Sequence, residues 1–445
     1  MLVNFEFENF LSYNKSTEFT LSASKGTKHS NHLLGSNRLL SIAAIFGGNA
    51  SGKSNLIRAI DFSKSIILDD EYDYNNFFNL RFRGCNNDNN IGSFKYTFYV
   101  DEILYEYQLQ YDYLLKKVYS EKLSEVNKNK VLYFYKEDKI DLDKKQLENK
   151  EKQRLIIYID DFINEKNNGT FLNYLYYKSS ENSKFLKKIE NIYHFFYKII
   201  IIEPTSQFAA IDELFMDENI NSKKILDNYG FNITNLNEIE EPISGLFSSE
   251  YEELKNKIMM KIKENNKKAY HLIKDNIPYK YKLDENGNLK SYRISFIHKN
   301  NEVFEYEDES DGTKRIFDLL PIIYLLNQEH FIFIVDEIDR SLSAHLCYEL
   351  LCSYLTEIEK GANSQLIFTT HNLQLLDFNL LRKDEIWLVE NEDECVGSEL
   401  IKFNDVKFRT DMDLNKAYWN GSIGGVSKRL IETIKKRKKY NNFNN

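Results

Sequence analysis

The segment Ile42 to Ile60 constrains this chain more than any other. Five apolar residues, Ile42 to Phe46, read as a buried strand and run into Gly47-Gly48-Asn49-Ala50-Ser51-Gly52-Lys53-Ser54-Asn55, after which the pattern is helical. Gly47, Gly52, Lys53 and Ser54 meet every fixed position of G-x-x-x-x-G-K-[ST]. The two glycines permit backbone angles and close approach that a Cβ would forbid, so successive amides can face one phosphate. The helix that follows offers free N–H groups and a positive dipole end to the same anion. Lys53 supplies a mobile charge for the β- and γ-phosphates, and the Ser54 hydroxyl suits Mg²⁺. The spacing therefore predicts a site for a nucleoside triphosphate, with residues 47–55 as its cradle.

A second cluster lies far downstream. Phe331 to Val335 is an apolar run ending in Asp336-Glu337, the pattern of a buried parallel strand with carboxylates at the edge where open α/β sheets bind ligands. Asp336 is placed to hold Mg²⁺, and Glu337 to orient and deprotonate a water attacking the γ-phosphate. Gln365 to Thr370 reads as another buried strand ending at His371, which is placed to contact the γ-phosphate or the attacking water. Upstream, Ser310-Asp311-Gly312 opens an apolar helix, Ile316 to Leu326, that Pro321 is expected to kink. Ser310 and Gly312 form a second anion cradle, which makes sense if it serves the nucleotide of a neighbouring copy.

Between these clusters the patterning is mixed. Leu2 to Phe10 alternates with period two, and Ser16 to Leu21 pairs with it through a Tyr13-Asn14 turn. Ser93 to Val100, Ile103 to Tyr111 and Leu115 to Ser124 predict an antiparallel meander. From about Glu125 to Lys198 the chain reads as charged and helical, notably Lys144 to Lys166 and Lys184 to Tyr197, and another helix is expected from the Ser249–Glu252 capping box. Heptads are not sustained, so a compact helical insertion rather than a long coiled coil is expected. Period two returns at Tyr279 to Tyr306, with Asn286-Gly287 as a hairpin signal and Lys299-Asn300-Asn301 as a turn.

Composition narrows the classes. The 445 residues are 42% hydrophobic and 14% aromatic, ample for a folded core, and the net charge of −9 argues against a surface uniformly coated for nucleic acid. Cys85, Cys347, Cys352 and Cys395 show no C-x-x-C spacing and read as four reduced thiols. No signal peptide or membrane-length apolar run is evident, so a cytoplasmic protein without a membrane partner is expected. His29 and His32 read as loop histidines, and Asp411-Met412-Asp413 as a solvated loop. The basic run Lys428-Arg429 and Lys435 to Lys439 reads as a solvated tail, with a nucleic-acid contact as the alternative.

In order, residues 47–54, Ser310-Asp311-Gly312, Phe331–Glu337, Asp339 and His371 resemble the Walker A, signature, Walker B, D-loop and switch histidine of ABC-type ATPase heads. The chain resembles more closely the OLD-like and abortive-infection ATPases of bacterial phage defence, including the ATPase subunits of PARIS- or Septu-type systems. Ser310 to Arg315, Asp336 to Leu342, Tyr418 to Gly425 and the opening Glu8 to Ser12 carry that likeness. It departs at Asp311, where transporters carry Gly, and neither Gln108 nor Gln110 marks a Q-loop.

The resemblance implies an α/β ABC-ATPase (SMC/OLD-like) head with a P-loop sheet, an antiparallel β arm and a helical insertion. The expected division is residues 1–125 and 291–427 for the two ATPase lobes, 126–290 for the insertion and 428–445 for the basic tail. It also implies ATP and Mg²⁺ as ligands, with slow turnover, and a head-to-tail homodimer sandwiching two nucleotides, in which Ser310, Gly312 and Asp339 meet the partner's nucleotide. OLD nucleases continue into a TOPRIM domain, for which no counterpart is read here. A separately encoded effector, a TOPRIM or HNH nuclease or another toxin, is therefore expected, with nucleic acid or a phage protein as candidate trigger. The alternatives are a RecF/SMC-like DNA clamp or repair ATPase without a toxin, and a nuclease using a site within the insertion.

Overall fold

The computed structural model describes residues 1–26, 28–69, 80–84, 87–143, 147, 149–165, 169–178, 183–204, 229–242, 258–259, 270–274, 277–326, 330–391 and 395–405. Two compact units divide the chain. The first comprises Met1–Glu203, Leu326–Asp339 and Leu351–Asn445, the second Pro204–Leu325 and Arg340–Leu350.

The first unit is built on two sheets. Its nucleotide-type sheet has the strand order Ile199–Ile202, Ile332–Val335, Gln365–Thr370, Ile42–Gly47, Ile386–Asn391 and Ser398–Lys402. Neighbours are parallel except for the last pair, which is antiparallel. The strand ending at His371 thus lies between the P-loop strand and the strand ending at Asp336. All six residues of Ile42–Gly47 and of Gln365–Thr370 are buried, as expected for central parallel strands covered on both faces.

The second sheet of this unit is a seven-stranded antiparallel arm. Its order is Lys139–Leu142, Lys130–Lys136, Lys117–Glu125, Ile103–Asp112, Ile91–Val100, Leu2–Glu8 and Thr17–Thr20. Asp101 and Glu102, both at positive φ, turn the first meander hairpin. Every second residue faces the core, including Phe5, Phe7, Tyr96, Phe98, Tyr107 and Leu109. Helix Lys184–Tyr197 packs on that face, with Phe195 stacked on Phe98 at 4.0 Å and Phe196 edge-on to Tyr96 at 5.2 Å. Gln365 ties the two sheets together: its side chain accepts from the Leu2 N–H at 2.7 Å and donates to the Leu2 carbonyl at 2.9 Å.

The span 126–290, expected to be helical, is more varied. Helices Asn149–Asn164, Phe171–Tyr177 and Lys184–Tyr197 are present. Lys130–Lys136 and Lys139–Leu142, however, extend the arm, and Ile199–Ile202 is an edge strand of the P-loop sheet. The apolar residues Leu132, Tyr133 and Tyr135 are buried against the arm's core, where cross-strand packing outweighs local helix propensity. The capping box at Ser249, the Asp411-Met412-Asp413 loop, Tyr418 to Gly425 and the basic tail lie outside the described residues.

The second unit holds an antiparallel sheet ordered Ile233–Glu241, Leu289–His298, Ile277–Leu283 and Tyr270–Lys274, with Val303–Glu305 beside Leu289–His298. Gly287, at φ 79°, turns the expected Asn-Gly hairpin, and Asn301, at φ 63°, the next one. Helix Asp311–Leu319 packs on this sheet through Phe317, stacked on Phe296 at 4.9 Å. A separate short helix, Pro321–Tyr324, begins at the proline.

The cysteines differ from the expectation of four free thiols. Cys347 and Cys352 take part in no disulfide, but Cys395 is disulfide-bonded; Cys85 lies outside the described residues. Nor is His32 an ordinary loop histidine. It is buried, with Nδ1 3.0 Å from the Glu385 carboxylate, beside an Asp384 held by Arg382. Among the described residues no helix is long and apolar enough to cross a membrane.

Candidate functional site

The loop after strand Ile42–Gly47 is shaped by close approach. A Cβ on Gly47 would lie 2.7 Å from both Ser51 Oγ and the Val389 carbonyl. Gly52 has φ +113°, and a Cβ there would run into Ser398 Oγ. Both glycines are thus required by sterics as well as by ligand access. The loop is held from outside by Tyr13, whose hydroxyl donates to the Gly52 carbonyl at 3.2 Å, and by Ser398, whose hydroxyl donates to the Ser51 carbonyl at 2.6 Å. Asn55 Nδ2 donates to Ser12 Oγ at 2.8 Å, and the Ser12 and Ser398 hydroxyl oxygens are hydrogen-bonded at 2.8 Å, with the Ser398 proton already given to Ser51. The sequence placed Tyr13 in a turn and Ser12 at the end of the opening likeness but gave neither of them, nor Ser398, a role at this loop, because nothing local signals contact with a segment so distant in the chain.

Lys53 is turned back on its own loop. Its ammonium donates to the Gly47 carbonyl at 2.8 Å and the Gly48 carbonyl at 3.0 Å, and lies 3.3 Å from His371 Nδ1. Burial pushes its pKa down to about 8, against the pull of Asp336, Glu337 and Asp339. Ser51 Oγ is buried without a hydrogen-bond partner, a donor that a bound phosphate oxygen would accept from. Loop, lysine and orphan hydroxyl together fit a polyphosphate.

The carboxylates gather around the same lysine. Thr369, at the end of strand Gln365–Thr370, donates its hydroxyl to Asp336 Oδ1 while its oxygen accepts the Glu337 N–H at 2.8 Å. Thr370 does the same for Asp339, donating to Oδ1 at 2.8 Å. Glu337 sits at φ +50°, uncommon for a non-glycine residue, and this aims its half-exposed side chain toward His371, Nε2 to Oε1 3.7 Å. Sequence reasoning passed over Thr369 and Thr370, although their place directly before His371 was a usable signal.

Of the residues expected to contribute, Gly47 to Asn55, Asp336, Glu337, Asp339 and His371 belong to the first unit. Asp336, Glu337 and Asp339 act electrostatically on Lys53, and His371 bridges toward Glu337. Ser54 lies in the first turn of helix Lys53–Leu68. Ser54 and Asp336 carry the kind of oxygen donors that would suit Mg²⁺, which takes one or two protein oxygens and otherwise phosphate and water. Among the described residues no group of three or more His, Cys, Asp or Glu side chains is arranged as a self-sufficient metal cage.

Ser310 and Gly312 belong to the second unit. Ser310 is the N-cap of helix Asp311–Leu319, its Oγ accepting from the Thr313 N–H at 3.1 Å. A Cβ on Gly312 would come within 3.0 Å of the Ser341 carbonyl. Gln108 and Gln110 are arm residues whose side chains serve Glu106 and Ser120.

A family model described as "AAA domain, putative AbiEii toxin, Type IV TA system" matches residues 42–162 and 172–377. No curated protein matches the chain. Among solved structures the chain is similar to the SMC head domain from Thermotoga maritima, with 14% identity over 90% of this chain and 98% of that one, at a TM-score of 0.36. It is also similar to an SMC head bound to the C-winged helix domain of ScpA, with 17% identity, 94% and 99% coverage and a TM-score of 0.43. A Pyrococcus furiosus SMC head with an extended coiled coil, bound to the C-terminal domain of ScpA, gives 16% identity, 94% and 98% coverage and 0.40.

Proposed function

Because the chain belongs to the family described as AAA domain, putative AbiEii toxin, Type IV TA system, we propose that it is a Mg²⁺-dependent ATPase whose nucleotide state gates an abortive-infection response to phage. The single observation that carries the ATPase chemistry is the gathering of Lys53, His371 and the Asp336-Glu337 pair at the edge of one parallel sheet.

Each side chain has a task in that chemistry. Lys53 leaves the Gly47 and Gly48 carbonyls and moves onto the β- and γ-phosphates, while the amides of residues 48–54 and the helix N-terminus receive the remaining charge. Ser54 and Asp336 hold the cation, which when bound neutralises phosphate charge. Glu337 orients the attacking water and accepts its proton. His371, within reach of both Lys53 and Glu337, fixes that water and contacts the γ-phosphate.

In this reading two copies close head to tail, with Ser310, Gly312 and Asp339 of one copy completing the nucleotide site of the other. Each nucleotide then bridges two subunits, and hydrolysis removes the bridge, biasing the pair toward opening. The family description, with its toxin–antitoxin wording, supports a defence role. The closed pair would restrain or release a separately encoded effector nuclease or toxin.

The test is to express the chain with its neighbouring genes and purify it by a tag. An ATP-dependent co-purifying effector, released in the Lys53→Ala variant, is expected. Protection against phage by this chain alone, with no second gene, would contradict effector control.

A further inference from the structure

The residues that open strand Ser398–Lys402 form an outer wall of the P-loop. The Ser398 N–H donates to the Ser12 carbonyl at 2.7 Å, and its hydroxyl donates to the Ser51 carbonyl at 2.6 Å. Gly397, at φ +81°, lies so close to the Ser12 carbonyl that a Cβ would overlap it, and that Cβ would also come within 2.9 Å of the Phe82 ring. Tyr13 and Gly397 form an isolated antiparallel bridge, and Asn14 Nδ2 donates to the Cys395 carbonyl at 3.2 Å. Residues 395–398 and 12–14 thus lie side by side, and Ser12 in turn accepts from Asn55 in the first turn of the P-loop helix.

Strand Ser398–Lys402 is an edge of its sheet and pairs there with Ile386–Asn391. With a ladder on one side alone, the end of an edge strand opens at lower cost than a central strand. Here that end is fastened covalently, because Cys395 is disulfide-bonded. Cys347 and Cys352 take part in no disulfide, so the bond at Cys395 involves neither. Cys395 is exposed, whereas Gly397 and Ser398 are buried. An exposed disulfide is open to attack by a thiolate and falls with the labile, regulatory bonds rather than the inert structural ones. While intact, a cross-link excludes open conformations of the segment it fastens.

We propose that the Cys395 disulfide is a redox latch on the P-loop. Oxidised, it holds residues 395–398 against Ser12 and Ser51 and keeps the loop in its phosphate-binding shape. A dithiol reductant opens it. One thiolate attacks a sulfur of the disulfide and breaks the S–S bond, and the second thiol displaces the protein sulfur from the mixed disulfide. Two electrons and two protons pass to the protein's sulfurs, and the reductant leaves as a disulfide. Ser398 is then free to leave Ser51, the loop loosens, and affinity for nucleotide falls. This regulation rests on the ATPase reading only in its last step.

Hydrogen exchange of the full chain without nucleotide, before and after dithiothreitol, tests the latch, with thiols counted by alkylation and mass spectrometry to show complete reduction. The Ser51 and Asn55 N–H groups donate to the Gly48 and Gly52 carbonyls and report on the order of the loop. Their exchange should quicken by about tenfold on reduction. Strand Gln365–Thr370 should stay protected, since unfolding of the whole unit would expose both. ATP affinity should fall by about tenfold between the two states. Cys395→Ser should behave as the reduced chain and no longer respond to dithiothreitol, whereas Cys352→Ser should respond as the unaltered chain does. Unchanged exchange at Ser51 and Asn55 after complete reduction, a response that survives in Cys395→Ser, or ATP bound equally tightly in both states would overturn the proposal. An intact exchange response in a chain that binds no ATP in either state would uphold the latch and overturn the ATPase reading instead.

Discussion

The Lys53 ammonium lies 3.3 Å from Nδ1 of His371, a residue 318 positions further along the chain. The lysine spends its other hydrogen bonds on the carbonyls of Gly47 and Gly48, and burial holds its pKa at about 8. A phosphate would favour the charged form. Binding ATP near pH 8 to 9 should therefore draw a proton from the buffer, and affinity should fall as pH rises through about 8. Titration in buffers of differing ionisation enthalpy measures that uptake, which Lys53→Met should abolish. The same depressed pKa bears on stability. Between about pH 8 and the ordinary lysine range the unfolded chain binds more protons, so this lysine's penalty on the fold is present below pH 8 and fades as pH rises.

One hydroxyl sets the geometry of both acidic residues after strand Ile332–Val335. Thr369→Val would remove the donor to Asp336 and the hydroxyl that accepts the half-buried Glu337 N–H. A loss of about 1–3 kcal/mol in transition-state stabilisation is expected, roughly tenfold to a hundredfold in turnover. Thr369→Ser, which keeps the hydroxyl, should recover most of it. Steady-state phosphate release for both variants checks this.

The paired-copy reading makes its own demand. Ser310→Arg places a bulky cation at the N-terminus of helix Asp311–Leu319 and removes its cap. Nucleotide binding to the first unit should persist while ATP-dependent dimerisation is lost. Sedimentation velocity with a non-hydrolysable ATP analogue distinguishes the two.

In the arm, Glu121 is fully buried and accepts from the Tyr107 and Tyr133 hydroxyls and the Phe171 and Leu172 amides. Burial nevertheless raises its pKa. Glu121→Ala would orphan four donors at once and should cost about 3 kcal/mol or more. Glu121→Gln should cost markedly less. Urea unfolding of the two variants gives the comparison.

What could be read in the sequence was what has a local period or a fixed spacing. The P-loop, the Asp336-Glu337 strand end and the Asn286-Gly287 hairpin are encoded within a few residues each, and the structure places strand, turn and helix there. The strands Lys130–Lys136 and Lys139–Leu142 were not legible, because their charged outward residues mimic a solvated helix and only the arm's core selects the extended form. Nor were Tyr13, Ser12 and Ser398, whose grip on the P-loop depends on contacts between distant segments. The bonded state of Cys395 was likewise invisible, since no spacing marks it. Thr369 lay beside a residue already singled out, and escaped because strand-end threonines are ordinary β-formers.

The account rests most on Glu337 as the group that activates water. The direct measurement is ATP binding and steady-state hydrolysis by Glu337→Gln beside the unaltered chain, in the presence of Mg²⁺. Retained binding with turnover reduced by about a hundredfold or more is the predicted result. Hydrolysis at the unaltered rate would contradict the account.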